Sequence, residues 1–147
     1  MTYQIDPLDR NFKKFGLALL EKQRQLFGAH HYYACDPFHE NKPPIKGDKY
    51  LQNVGKAISE LYTSFDSQAV WVMQAWSLRE QIVKAVDKDK LLILDIDGSK
   101  CEATDGFWGY NFISGTLNNF GDRNTLHGSI DALAENKFTK EKEKYPN

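Results

Sequence analysis

Residues 69–95, AVWVMQAWSLREQIVKAVDKDKLLILD, contain two continuous apolar runs separated by a short amphipathic segment. The runs Ala69–Met73 and Leu91–Leu94 lack alternating polar residues, which is typical of strands that are buried on both faces. Between them, the apolar residues of 79–86 predict a short helix. Two buried strands joined by a helix indicate a parallel sheet with right-handed crossovers.

The same alternation of helix and strand extends on both sides of this unit. Asp6-Pro7 predicts the N-cap and first turn of an amphipathic helix that ends at Gly28. Residues 31–34 predict a short strand, and a second helix with apolar steps of three and four begins near Asp48. Downstream, 112–117 predict a further strand. The predicted fold class is therefore α/β.

A last helix is predicted to begin near Asn124 or Thr125, before a charged end over 139–147 that is typical of a solvated helix or frayed tail. A complete α/β barrel normally needs about 250 residues. With 147 residues, a chain of repeated βα units is expected to form only a piece of such a barrel.

The composition excludes several classes of protein. Hydrophobic residues make up 41% and charged residues 27%, which is typical of a globular domain rather than a disordered or fibrous chain. The net charge of -1 gives no basic excess, so we predict no nucleic-acid partner. No apolar run is long enough to span a bilayer, and the polar stretch Met1–Arg10 predicts no signal peptide.

The cysteines and histidines do not predict a metal site. Cys35 and Cys101 both begin predicted loops and are expected to be free thiols, with a disulfide as the minor option. His30 and His31 lack metal-ligand spacing to any other histidine or cysteine. We therefore predict no metal and no cofactor.

Polar and aromatic side chains follow the predicted strands, where α/β folds place their functional sites. In chain order they are Asp36, His39, Glu40, Gln74, Trp76, Asp95, Asp97, Asn118 and Asn119. Acids and amides bind hydroxyl groups, and an indole packs on the apolar face of a pyranose ring. The set therefore favours a sugar site, although Trp71 is expected in the core and Asp95 could cap a turn.

Glu40 is the strongest candidate in this set. It follows a predicted strand and precedes Pro43-Pro44, which would stiffen the loop and fix the carboxylate.

The segment 91–99, LLILDIDGS, suggests a remote alternative. It imitates the DxDG[TS] signature of haloacid-dehalogenase-like phosphatases, in which Asp95 would be the nucleophile and Asp97 the acid/base. That family needs further motifs downstream, and only 48 residues follow Ser99. No second strand that ends in paired acids is predicted among them.

Four segments together resemble a known family. They are 33–44, YACDPFHENKPP; 69–76, AVWVMQAW; 91–95, LLILD; and 117–128, LNNFGDRNTLHG. In this order they are similar to the catalytic domain of the α-N-acetylglucosaminidases, glycoside hydrolase family 89. Ala75 and Asp122 depart from the pattern, since both stand where glycine is common.

The resemblance implies a partial (β/α)8 barrel, with 1–138 part of the glycosidase catalytic barrel and 139–147 a charged tail or truncation point. It implies a retaining hydrolase that removes terminal α-linked N-acetylglucosamine. Glu40 would be the acid/base. His39, Trp76 and Asn119, together with Asp95 at its strand end, would contact the substrate.

The resemblance places the nucleophile on a later strand, beyond Asn147, and earlier barrel strands before Met1. We therefore expect the chain alone to be inactive, with a terminal α-N-acetylglucosaminyl glycan and remaining parts of the same enzyme as its partners. An extracellular, periplasmic or lysosomal location is implied. The alternative is a non-catalytic carbohydrate-binding or vestigial domain.

Overall fold

The computed structural model of the chain describes residues 5–115 and 134–146. Helices and strands alternate along most of it, as the sequence predicts. The helices are α1 (Arg10–Phe27), α2 (Asp48–Phe65), α3 (Glu80–Val83) and α4 (Lys137–Lys144). The strands are β1 (Tyr32–Ala34), β2 (Val70–Gln74), β3 (Leu91–Asp95) and β4 (Asn111–Ser114).

The four strands form one parallel sheet in the order β1-β2-β3-β4. The register pairs Tyr33 with Trp71, Trp71 with Leu91, and Ile93 with Phe112. The predicted parallel α/β sheet is confirmed. Because all strands run in the same direction, their carboxyl ends lie along one edge, which we call the rim.

The sheet buries one face more completely than the other. Trp71, Met73 and Ile93 are each at most 1% exposed, and they belong to one core cluster with residues of α1, α2 and α3. The core position predicted for Trp71 is therefore confirmed. On the opposite face, the side chains are half-buried or exposed, as at Leu94 and Ile113.

Helix α2 is the main cover of the sheet. Its predicted apolar stripe is confirmed, since Val54, Ile58 and Leu61 are buried. Gly55 allows a close approach to the segment of α3, because a Cβ at this position would lie 2.6 Å from the carbonyl oxygen of Ile82.

The start of α1 differs from the prediction. The N-cap is Asp9, whose carboxylate accepts a hydrogen bond of 2.7 Å from the N–H of Asn11, and not Asp6. The Asp6 carboxylate instead accepts from the N–H of Leu8 and from the hydroxyl of Tyr50. The predicted end at Gly28 is confirmed, where a φ of 86° suits glycine.

Two other segments also depart in detail. The helix predicted over 79–86 is helical only from Glu80 to Val83. The charged end forms α4, which spans the expected boundary at 138, and Lys137 Nζ donates to the carbonyl of Gly98 at 2.7 Å. The helix predicted near Asn124 lies outside the described residues. Among those described, no helix is long and apolar enough to cross a membrane.

Candidate functional site

The loop after β1 is fastened to the end of β2 by three hydrogen bonds. The N–H of Cys35 donates to the carbonyl of Val72 at 3.2 Å, and the indole N–H of Trp71 donates to the carbonyl of Cys35 at 2.7 Å. Asp36 Oδ1 then accepts from the backbone N–H of Gln74 at 2.7 Å. These bonds extend the β1–β2 contact beyond the strands and fix the direction in which the loop leaves the sheet.

Phe38 forms the next part of this loop in an unusual conformation. Its φ of 60° lies in the left-handed region, which a bulky side chain rarely adopts. The ring lies with its centre 6.3 Å from that of Tyr50 and 6.0 Å from the guanidinium carbon of Arg79. No sequence pattern indicates this backbone conformation or the contact with Arg79.

Two of the predicted sugar-binding residues lie together at the rim. The ring centres of His39 and Trp76 are 5.4 Å apart, with an angle of 43° between the ring planes. Trp76 lies in a 3-10 turn, Ala75–Ser77, which follows β2 directly. The structure thus brings His39, from the loop after β1, against Trp76, from the loop after β2.

Glu40 follows His39 and is exposed. Within residues 5–115 and 134–146, no hydrogen bond or ion pair engages its carboxylate. The predicted acid/base residue is therefore adjacent to the His39–Trp76 pair, with its carboxylate open to solvent.

Asp95, at the end of β3, lies in a different environment. The residue is 0% exposed, and its Oδ2 accepts from the N–H groups of Lys100 and Cys101, each at 3.1 Å. Burial raises the pKa of Asp95, and the two N–H donors oppose that rise. A carboxylate held in this way caps a turn. This burial argues against the nucleophile role of the phosphatase alternative, and it does not favour the predicted sugar contact.

Asp97 and the amide residues complete the predicted set. The Asp97 carboxylate accepts from the N–H of Ser99 at 3.1 Å, and bonds to Ser99 hold the pKa of Asp97 below its usual value. Asn118 and Asn119 lie outside the described residues. The predicted contact at Asn119 therefore stays a prediction.

The two thiols fit the expectation from sequence. Cys35 and Cys101 are both free. Burial raises the pKa of the Cys35 thiol and brings that of Cys101 to about 11. In the part of the chain that the structure describes, no group of three or more histidines, cysteines or carboxylates could hold a metal ion.

A second polar cluster lies at the start of β1, away from the rim. His31 Nδ1 is 2.8 Å from Asp66 Oδ2, and the hydroxyl of Tyr33 donates to the same oxygen at 3.2 Å. Asp66 lies directly after α2, so these bonds join the beginning of β1 to the end of that helix. His31 therefore helps to join β1 to the end of α2, away from the rim.

Comparison with known proteins decides the family. All residues from 1 to 147 match the family described as the Alpha-N-acetylglucosaminidase (NAGLU) tim-barrel domain. The chain belongs to this family. Its similarity to human Alpha-N-acetylglucosaminidase is 30% identity over 146 residues, which covers 90% of this chain and 20% of the human protein. The chain thus spans about one fifth of the length of that relative.

Solved structures of a family 89 glycoside hydrolase from Clostridium perfringens show the same fold. One, in complex with PUGNAc, is 26% identical with a TM-score of 0.66 and covers 80% of this chain and 14% of that one. Another, in complex with GlcNAc-alpha-1,4-galactose, is 24% identical with a TM-score of 0.72 and covers 90% of this chain and 15% of that one. The predicted family and the partial TIM barrel are confirmed.

Proposed function

We propose that this α-N-acetylglucosaminidase domain segment supplies the acid/base half of a retaining glycosidase site, with Glu40 as the acid/base residue. In the first step Glu40 would protonate the glycosidic oxygen while a second carboxylate attacks the anomeric carbon. In the second step the Glu40 carboxylate would take a proton from the water that hydrolyses the glycosyl-enzyme. The substrate would be a glycan with a terminal α-linked N-acetylglucosamine.

The observation that supports this proposal best is the contact between His39 and Trp76, with their ring centres 5.4 Å apart beside Glu40. It joins the loops that follow two neighbouring parallel strands, at the sheet edge where barrel enzymes place their chemistry. The two rings would form one wall of the sugar pocket, and the predicted contact from Asn119 would add a hydrogen-bonding group.

The second carboxylate of a retaining site lies about 5–5.5 Å from the acid/base residue. Three described acids near the strand ends, other than Glu40 itself, are engaged with backbone N–H groups. Asp36 accepts from Gln74, Asp95 accepts from the turn after β3, and Asp97 accepts from Ser99. Their engagement supports the inference that the nucleophile comes from another part of the enzyme, so that the 147-residue chain alone does not hydrolyse glycosides.

An assay with 4-nitrophenyl 2-acetamido-2-deoxy-α-D-glucopyranoside tests this proposal. The expected result is no release of 4-nitrophenol above the buffer rate, for both the unaltered chain and the Glu40→Gln variant. Hydrolysis by the unaltered chain that Glu40→Gln abolishes would show that the chain holds both carboxylates. Hydrolysis that Glu40→Gln leaves unchanged would contradict the role given to Glu40.

A further inference from the structure

The backbone at Phe38 is strained, and it lies immediately before the two candidate site residues His39 and Glu40. A non-glycine residue in the left-handed region persists only where its surroundings hold it, and such residues cluster at functional sites. Phe38 has a φ of 60° and follows Pro37, whose ring fixes the φ of that preceding residue. The direction of the chain towards Glu40 therefore depends on what holds the Phe38 ring.

Two side chains from different elements lie against that ring. Tyr50, in the first turn of α2, is buried, and its hydroxyl donates to Asp6 Oδ1 at 3.1 Å. Burial and the neighbouring Asp6 carboxylate raise the pKa of Tyr50 to about 12, so the hydroxyl stays a donor at neutral pH. Tyr50 is thus a fixed support on one side of Phe38.

Arg79, which lies between β2 and α3, contacts the Phe38 ring on another side. Its guanidinium carbon is 6.0 Å from the ring centre. Its Nε is buried and has no hydrogen-bond partner within residues 5–115 and 134–146. The structure shows no ion pair for Arg79 in the same described ranges. Among residues 5–115 and 134–146, the contact with the Phe38 ring is therefore the interaction that the structure shows for the Arg79 guanidinium.

The contact between Phe38 and Arg79 joins the same two segments as the contact between His39 and Trp76. Phe38 and His39 are neighbours on the loop after β1, and Trp76 and Arg79 lie on the short segment between β2 and α3. The same two segments therefore meet twice, once through Phe38 and Arg79 and once through His39 and Trp76. Two adjacent contacts restrict rotation of the loop in a way that one contact does not.

We propose that Arg79 is a positioning residue, which holds Phe38 in its left-handed conformation and so keeps His39 on Trp76 and Glu40 at the rim. This inference rests on the proposed function, because it takes the residue that Arg79 helps to position, Glu40, as the acid/base residue. The contact itself can be tested without any glycosidase activity.

Fluorine NMR of the 147-residue chain labelled with 5-fluorotryptophan measures the contact. The chain has three tryptophans, and a Trp76→Phe variant identifies the Trp76 resonance. A His39→Ala variant removes the neighbouring ring, whose centre lies 5.4 Å from that of Trp76, and so gives the change in the Trp76 resonance that loss of the contact produces. The second readout is the backbone order of Glu40, measured by its heteronuclear NOE in a ¹⁵N-labelled sample.

Arg79→Met removes the cation and keeps an unbranched side chain. We expect it to move the Trp76 resonance by more than half of the change that His39→Ala produces, and to lower the heteronuclear NOE of Glu40. Arg79→Lys, which restores a cation, should return both values most of the way to those of the unaltered chain. The matched control is Lys88→Met, which removes a cation 5.6 Å from the ring centre of Tyr110 and should change neither readout.

An unchanged Trp76 resonance and an unchanged Glu40 NOE in Arg79→Met overturn the proposal. If far-UV circular dichroism shows that Arg79→Met is unfolded, Phe38→Leu decides, since it removes the ring from Arg79 and should give the same changes. A folded Phe38→Leu chain with an unchanged Trp76 resonance overturns the proposal equally.

Titration with methyl 2-acetamido-2-deoxy-α-D-glucopyranoside separates the two proposals. We expect Arg79→Met to weaken its binding several-fold. A chain that shows the Trp76 and Glu40 effects but binds no sugar refutes the proposed function and retains the contact. A chain that binds sugar equally with and without Arg79 refutes the positioning role alone.

Discussion

Replacement of Asp36 by alanine should separate the loop that carries Glu40 from the end of β2. The Asp36 carboxylate accepts from the N–H of Gln74 at 2.7 Å, and both residues are half-buried. A hydrogen bond to a charged group contributes about 1.5–3 kcal/mol, and the N–H that loses its acceptor adds a desolvation penalty. We expect Asp36→Ala to lower the free energy of unfolding by about 2–3 kcal/mol. For a domain of this size, that loss corresponds to a fall of about 4–12 °C in the unfolding temperature.

Urea and thermal unfolding followed by circular dichroism measure this loss. Asp36→Asn keeps one oxygen acceptor without the charge, so its effect should be smaller than that of Asp36→Ala. Asp89→Ala, at an exposed site, should stay within about 0.5 kcal/mol of the unaltered chain. Hydrogen exchange at the Gln74 amide should accelerate only in Asp36→Ala. If Asp36→Ala behaves like Asp89→Ala in both measurements, the bond does not hold the loop and the reasoning is refuted.

Three further variants test the rest of the structure. Burial raises the pKa of Asp66, but hydrogen bonds led by that of His31 outweigh it and leave the pKa below its usual value. The stability that the Asp66 carboxylate contributes is therefore present above its unfolded-state pKa of about 4, and it is lost as the pH falls through the lower folded-state pKa. In a plot of the urea midpoint against pH, Asp66→Asn should therefore reduce the fall in the midpoint at acidic pH. Gly55→Ala should lower the unfolding temperature, because its Cβ would lie 2.6 Å from the Ile82 carbonyl oxygen and overpacking exceeds the gain of about 1 kcal/mol in helix propensity. Asp95→Ala leaves two backbone N–H groups without their acceptor and should cost about 1–3 kcal/mol in urea unfolding at pH 7, whereas an unchanged midpoint would show that the turn does not need it.

The two central strands, β2 and β3, were predictable because each contains a continuous apolar run. The predicted ends at Met73 and Leu94 are one residue short, since Gln74 and Asp95 are polar but still pair in the ladder. A hydrophobic pattern indicates which residues are buried. It does not identify a polar residue that belongs to a strand through its backbone hydrogen bonds. The rim position of Glu40 followed from the order of the strands.

The contacts that shape the site were not predictable from sequence. Asp6 and Asp9 are both suitable N-caps, and the choice between them depends on Tyr50, which is distant along the chain. The positive φ of Phe38 likewise depends on packing against α2 and the segment after β2. Such long-range contacts override local preference, and a single sequence contains no pattern that reports them.

The central proposal is that the rim formed by His39, Glu40 and Trp76 would bind an α-N-acetylglucosaminyl group. The most direct measurement is an NMR titration of the ¹⁵N-labelled chain with methyl 2-acetamido-2-deoxy-α-D-glucopyranoside. We predict that the largest shifts occur at the Trp76 indole N–H and the backbone amides of His39 and Glu40. The glucoside that lacks the acetamido group should give smaller shifts, and Trp76→Ala should abolish binding. Saturable shifts centred elsewhere, or no shifts at the rim, would contradict the account.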